Sequence, residues 1–254
     1  MKNDCIIIGI DLAWGSINNN FTQQNKQKSD GVCIISYNKR VFQVKKLLYP
    51  NGDEQLLECI APYIQQAKKT IIMIDAPIVC PNPKGARPVD RLTHKLFFKE
   101  HAACYPANST KCSRPIRLAK SLKRIGFNIN WNFQKFSKTL IEVYPHPAMV
   151  RLFRLKKIFK YKKGKIANKQ KEFRKYQLAF KKFLSLHFPE LELNRDIEKL
   201  FKVNWNKKSE DLLDAFFCAL LGMWHFKFKG TKSEIIGDLK TGFILLPADL
   251  RAVN

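Results

Sequence analysis

The sequence predicts an α/β fold in which a mixed sheet is flanked by helices and extended by helical insertions, all within one domain spanning residues 1–254. Three observations carry this reading. Short runs of β-branched residues end in acids, as in Ile6-Ile7-Ile8-Gly9-Ile10-Asp11 and Ile71-Ile72-Met73-Ile74-Asp75. A segment with helical apolar period separates the third expected strand from the fourth. A long apolar helix is expected near the end of the chain, beginning around Ser209-Glu210-Asp211.

The elements follow in order. Residues 5–12, 31–37 and 40–49 read as three strands, the last two joined by a turn at Tyr37-Asn38-Lys39-Arg40. The first two are joined by a polar stretch from Gly15 to Gly31, rich in Asn, Gln, Lys and Ser, which reads as a long hairpin loop. Leu56, Leu57, Ile60, Ala61 and Ile64 give residues 53–67 a helical period, with Pro62 expected to kink or divide it. Strand 70–76 follows, so a right-handed crossover should bring it parallel to a neighbour. Four prolines and glycines make 77–87 a rigid loop. Helices are expected over 88–101, with Pro88 at its start, and over 114–125, ending at Gly126. A strand covers 139–144. Residues 148–187 read as helical with a break near Gly164, 209–226 as the apolar helix, and 242–247 as a short last strand.

Composition narrows the function. The 254 residues are 45% hydrophobic, enough for a sizeable core and too many for a disordered chain. No apolar run reaches the roughly 18 residues of a membrane span, and the acidic N-terminus is unlike a signal peptide, so a cytoplasmic location is expected. Seven cysteines without a CxxC read as buried free thiols; a zinc site from Cys80, His101, Cys104 and Cys112 is the sharper alternative. Lys and Arg number 46 against 21 acids, a net charge of +25, which draws polyanions, nucleic acid first among them.

The acids carry the chemistry. A lone carboxylate at the end of a strand buried on both faces costs several kcal/mol unless it is paired, protonated or bound to a cation. Asp11, Asp75 and, on a third strand, Glu142 all stand at such ends. In the late helix Ser209 is the expected N-cap, with Glu210 and Asp211 favoured in the first turn by the helix dipole. Asp214 lies beyond that turn, on the face of Cys218 and Leu221, with Asp211 one turn earlier on the same face. Acids directed at one sheet from separate elements suggest a shared divalent cation. With oxygen donors and no His/Cys set, magnesium or manganese is favoured over zinc.

The ordered motifs Gly9-Ile10-Asp11, Ile74-Asp75-Ala76-Pro77, Gly85-Ala86-Arg87-Pro88-Val89-Asp90, Ile141-Glu142-Val143-Tyr144-Pro145 and Asp211-Leu212-Leu213-Asp214-Ala215 resemble those of the domain of unknown function 429 family, regarded as nucleases with the RNase H-like fold. The bacterial Holliday-junction resolvase of that superfamily is similar in its last helix. The resemblance implies a five-stranded mixed sheet of order 3-2-1-4-5. It also implies a nuclease holding two Mg2+ or Mn2+ ions, with products that carry a 5′-phosphate and a 3′-hydroxyl. Carried over, Asp11, Asp75, Glu142 and Asp214 would be the catalytic acids. The metal ligands would be Asp11, Asp75, Asp211 and Asp214. Glu142 could instead orient Arg87 or be only a strand-end acid. Arg87 and Asp90 match the family's Arg-x-x-Asp, with Arg87 a candidate nucleic-acid contact and a loop ion pair the alternative.

Segment 151–187 reads as a basic helical insertion within the domain. From 151 to 182 it holds many cations and a single acid, Glu172, with aromatics interleaved. Lys160, Lys162, Lys163 and Lys165 are the candidate strand-binding residues. His146, just after the third acid-ended strand, could protonate a leaving group or be a turn residue. Three functions compete: a metal-dependent nuclease, a binding module of the same fold without turnover, and a sugar-kinase-like phosphotransferase. The last would need a duplicated domain and a second glycine-rich loop, and neither is found. No protein partner is inferable.

Overall fold

The computed structural model describes residues 2–14 and 29–249. Most of the polar loop read between Gly15 and Gly31 lies outside the described residues. The central sheet is built from β1 (Cys5–Asp11), β2 (Gly31–Asn38), β3 (Val41–Leu48), β4 (Thr70–Asp75), β5 (Asn128–Ile129), β6 (Lys138–Glu142) and β7 (Leu191–Glu192). Their order is β5-β6-β4-β1-β2-β3-β7. With β6 as the fifth principal strand, the core has the expected 3-2-1-4-5 order, and the fold is RNase H-like. The two-residue strands β5 and β7 widen it to seven at the edges, and both are too short to show a sequence period. Strand β1 pairs antiparallel with β2 and parallel with β4, and β6 is parallel to β4.

Alternation sorts the two faces. Ile6, Ile8, Ile10, Ile72, Ile74 and Leu140 face α1 (Gly52–Gln65) and α3 (Ser113–Arg124), meeting Leu56, Ile60, Leu118 and Leu122. Ile7, Met73 and Ile141 face the opposite layer, whose centre is α7 (Lys207–Lys227). Between Leu213 and Trp224 every residue of α7 is buried. Each large apolar side chain so buried contributes about 1.5–3 kcal/mol. The helix can lie this close because Gly9 has no side chain: a Cβ there would stand 2.1 Å from the Ala215 carbonyl oxygen and 2.2 Å from the Ala219 nitrogen.

Several boundaries differ from expectation. Helix α7 begins two residues early, with Asn206 as N-cap and Ser209 as its reciprocal partner in a capping box, because Asn206 reaches the Ser209 N–H at 2.9 Å. Pro62 sits inside α1 near its end. Helix α2 (Pro88–Phe97) stops short of residue 101. The break expected near Gly164 within 148–187 is present but wider, a loop at 154–165 between α4 (Pro145–Phe153) and α5 (Ile166–His187), opened by Arg154 in the left-handed region. Helix α6 (Arg195–Leu200) precedes α7. The last strand, β9 (Gly242–Pro247), forms a separate two-stranded sheet with β8 (Ser233–Asp238), which the sequence did not announce. Among the described residues no helix is long and apolar enough to cross a membrane.

Candidate active site

Asp11 closes β1 and Asp75 closes β4, and the two are direct partners in the parallel register. Neighbouring strands lie about 4.8 Å apart, so register partners share a face. Asp11 follows Ile7 and Gly9 at period two, so its side chain leaves the sheet toward α7. Helix α7 brings two more acids to that face. Asp214 is fully buried and Asp211 nearly so. Gly31, the register partner of Asp11, lies under the Asp211 carbonyl, where a Cβ would approach to 2.2 Å. The two glycines and the alternation of β1 therefore place all four carboxylates in one region.

The region opens into a cleft of about 730 Å³ whose walls include Asp11, Asp75, Asp211, Lys162, His146 and Tyr49. Burial pushes the Asp11 carboxyl well above the usual carboxylate range, and the charges of Asp214, Asp75 and Asp211 add to it while Lys162 opposes them. Burial likewise pushes Asp75 up to about 7, against the pull of Lys162. Asp211 accepts a 2.8 Å hydrogen bond from the Tyr49 hydroxyl and pairs with the Lys207 ammonium at 2.7 Å. Asp214 is gripped by two consecutive residues of the 154–165 loop. Tyr161 donates its hydroxyl to Oδ1 at 2.7 Å, and Lys162 Nζ stands 2.7 Å from Oδ2. That Oδ2 is buried and receives no properly directed hydrogen bond. The carboxylates of Asp214, Asp11 and Asp75 outweigh the cost of desolvating the Lys162 ammonium and hold it firmly protonated. His146 is half-buried, with an unpartnered Nε2; burial and the Lys162 charge lower its pKa to about 3, so the ring is neutral.

Other expected site residues lie elsewhere. Glu142 pairs in register with Ile74 rather than Asp75, so it leaves the sheet on the opposite face. Its carboxylate accepts hydrogen bonds from Arg87 Nη1 and Nη2 at 2.9 and 2.7 Å and from the Ile78 N–H at 3.0 Å. Arg87, expected at a nucleic-acid surface, is 1% exposed and is shared between Glu142 and Asp90. It is a buried ion-pair centre, closed to a passing strand. Lys162, expected in the exposed basic stripe, turns inward to the acids. Lys160, Lys163 and Lys165 remain exposed. Lys160 and Lys163 share a second groove, of about 680 Å³, with Lys157, Lys171 and Lys175. The interleaved aromatics are mostly core: Tyr161, Phe173 and Tyr176 are fully buried, and Tyr161 stacks on Tyr176 at 5.0 Å. The cysteines are free thiols. Cys80 and Cys112 share a small apolar cluster, while His101 is exposed, so these residues do not assemble a zinc site.

Tyr49, Tyr161 and Lys207 were not singled out from sequence. Lys207 was legible, standing three and four residues before Glu210 and Asp211 on one helix. The tyrosines gave no signal, because their reach depends on loops.

An all-oxygen donor set, with four acids sharing two ammonium groups beside an open cleft, suits a hard divalent cation. Among the described residues, no three His, Cys, Asp or Glu side chains already close on one point as a cage. The acids are arranged about the Lys162 ammonium instead.

The family model described as "Protein of unknown function (DUF429)" matches residues 9–231. No curated protein matches the chain. Among solved structures, the human cytomegalovirus terminase nuclease domain is similar at 10% identity, covering 86% of this chain and 82% of that one, with a TM-score of 0.36.

Proposed function

We propose that this chain, which belongs to the DUF429 family, is a metal-dependent nuclease that hydrolyses phosphodiester bonds of DNA or RNA. The observation that carries the reading is the register pairing of Asp11 with Asp75 beneath α7, the helix that carries Asp211 and Asp214. Asp11 is central, because the charges of Asp214, Asp75 and Asp211 all act on it. Asp11, Asp75 and Asp214 would hold the ions, with Asp211 assisting. Two Mg2+ or Mn2+ ions, when bound, supply Lewis acidity toward the phosphate and acidify the attacking water. The chain's own residues do the rest. Asp11, Asp75 and Asp211 line the cleft and would present their carboxylates to the ions. Neutral His146 turns an unpartnered Nε2 to the cleft wall, where it can hydrogen-bond a bound phosphate or water. Lys160, Lys163 and Lys165 would hold the strand backbone beside the cleft.

A second reading, a nucleic-acid-binding module without turnover, is favoured by one observation: Lys162 already pairs with Asp214. One assay separates them. Linear, duplex and branched DNA and RNA are incubated with Mg2+ or Mn2+, with wild type and Asp11→Asn side by side. Cleavage by wild type alone supports the nuclease. Binding without cleavage by either protein supports the module.

A further inference from the structure

The Lys162 ammonium lies among three carboxylates that the proposed function assigns to metal. It stands 2.7 Å from Asp214 Oδ2 and within electrostatic reach of Asp11 and Asp75. It arrives there on a built support. Tyr161 is fully buried, stacked on Tyr176 at 5.0 Å and hydrogen-bonded to the other Asp214 oxygen. Asp214 thus spends both oxygens on two neighbouring residues of one loop. The ammonium end is less confined than this support: the Lys162 side chain is 30% exposed and lines the open cleft.

We infer that Lys162 is a tethered cation that fills the metal position in the free protein and must leave Asp214 before a divalent ion can be held there. Carboxylates gathered in one buried region repel one another, and any cation among them relieves that repulsion. A single ammonium neutralises one charge and a divalent ion two, so the ion wins only above some concentration. The lysine therefore sets the metal threshold of the site. Its loop also presents Lys160, Lys163 and Lys165 outward, so a phosphate strand drawn to those lysines offers Lys162 an alternative anion. Strand binding and metal loading should then favour each other, by equal factors in the two directions.

The inference rests on the metal reading of Asp11, Asp75 and Asp214, and its test keeps the two apart. Mn2+ binding is measured by calorimetry on the intact chain at constant pH and salt, for wild type, Lys162→Met, Lys162→Gln, Asp11→Asn and the exposed loop control Lys156→Met. Removing the ammonium should tighten Mn2+ binding at least tenfold, and Lys156→Met should match wild type. Equal or weaker binding by the Lys162 variants overturns the inference. If Asp11→Asn still abolishes that binding, the metal reading stands without it. Absence of Mn2+ binding by wild type and both Lys162 variants overturns both. A measurement on unaltered protein guards against variants that fail to fold. Wild type is acylated at its lysines and followed by mass spectrometry. Lys162 should label more slowly than Lys160 and Lys163 without metal, and faster once Mn2+ is added. Labelling indifferent to Mn2+ that binds overturns the displacement.

Discussion

Two charge clusters lie at the C-terminal ends of neighbouring strands, on opposite faces of one sheet, and follow opposite rules. In the cluster of Arg87, Asp90 and Glu142 every charge is answered. Asp90 accepts hydrogen bonds from the Arg87 backbone and guanidinium and from the Ala107 N–H, while Glu142 accepts two from the guanidinium and one from Ile78. None of the three lines the cleft. In the cluster of Asp11, Asp75, Asp211 and Asp214, the two ammonium groups pair with Asp214 and Asp211, Asp11 and Asp75 are pushed up by burial and by their acidic neighbours, and the cleft opens on the group. The residue types are alike, but saturation differs. A closed network ties the 77–87 loop and α2 to β6, whereas an open one keeps electrostatic potential unspent for a ligand. Buried acids alone do not mark an active site; incomplete pairing beside a cleft is the more telling sign.

The largest expected contrast is catalytic. Asp11→Asn in the open cluster should lower cleavage by at least about 10²-fold, the scale on which a single electrostatic stabiliser is missed. The metal-free variant should melt no lower than wild type, because carboxylate repulsion is relieved. A variant that cleaves at the wild-type rate would remove Asp11 from the chemistry.

Next comes stability. Arg87→Ala leaves two buried carboxylates without their cation and should cost about 3–5 kcal/mol in denaturant unfolding. Should it unfold like wild type and instead lose strand affinity, the comparison breaks and Arg87 returns to the nucleic-acid surface.

Gly9→Ala sharpens the contrast further. Its Cβ meets the α7 backbone, so α7 must shift, at about 1–3 kcal/mol for overpacking. Mn2+ affinity should fall with it, since α7 carries Asp211 and Asp214. Unchanged Mn2+ affinity in a folded Gly9→Ala protein would mean that the helix acids are not ligands.

The smallest effect belongs to the surface. Replacing Lys160, Lys163 and Lys165 by Ala should weaken strand binding across sequences. It should also flatten the log–log salt dependence by about 0.9 per lost phosphate contact on duplex, or about 0.7 on single strands. Cleavage at saturating strand should change little. An unaltered slope would show that these lysines only solvate the loop.

The acids at strand ends, the principal strands and the apolar helix were legible in the chain itself, because each rests on local rules. Runs such as Ile6-Ile7-Ile8 declare a strand covered on both faces, and the position of Asp214 beyond the first turn sets it apart from the dipole-favoured Glu210. The two-residue strands β5 and β7 were not legible, since too few residues repeat to show a period; the six-residue β8 was not legible because Ile235-Ile236 is its only apolar run. The site's membership was decided by tertiary structure. Register placed Glu142 beside Ile74 and so on the far face from Asp75, a matter of one residue between strands distant in sequence. Burial turned Arg87 from a candidate phosphate contact into an ion-pair centre. Packing of Tyr161 on Tyr176 sent Lys162 inward while Lys160 and Lys163 stayed in solvent. Local sequence sets which side chains can carry charge and on which element. Which charges meet depends on strand register and loop anchoring, and both are fixed by contacts between residues far apart in the chain.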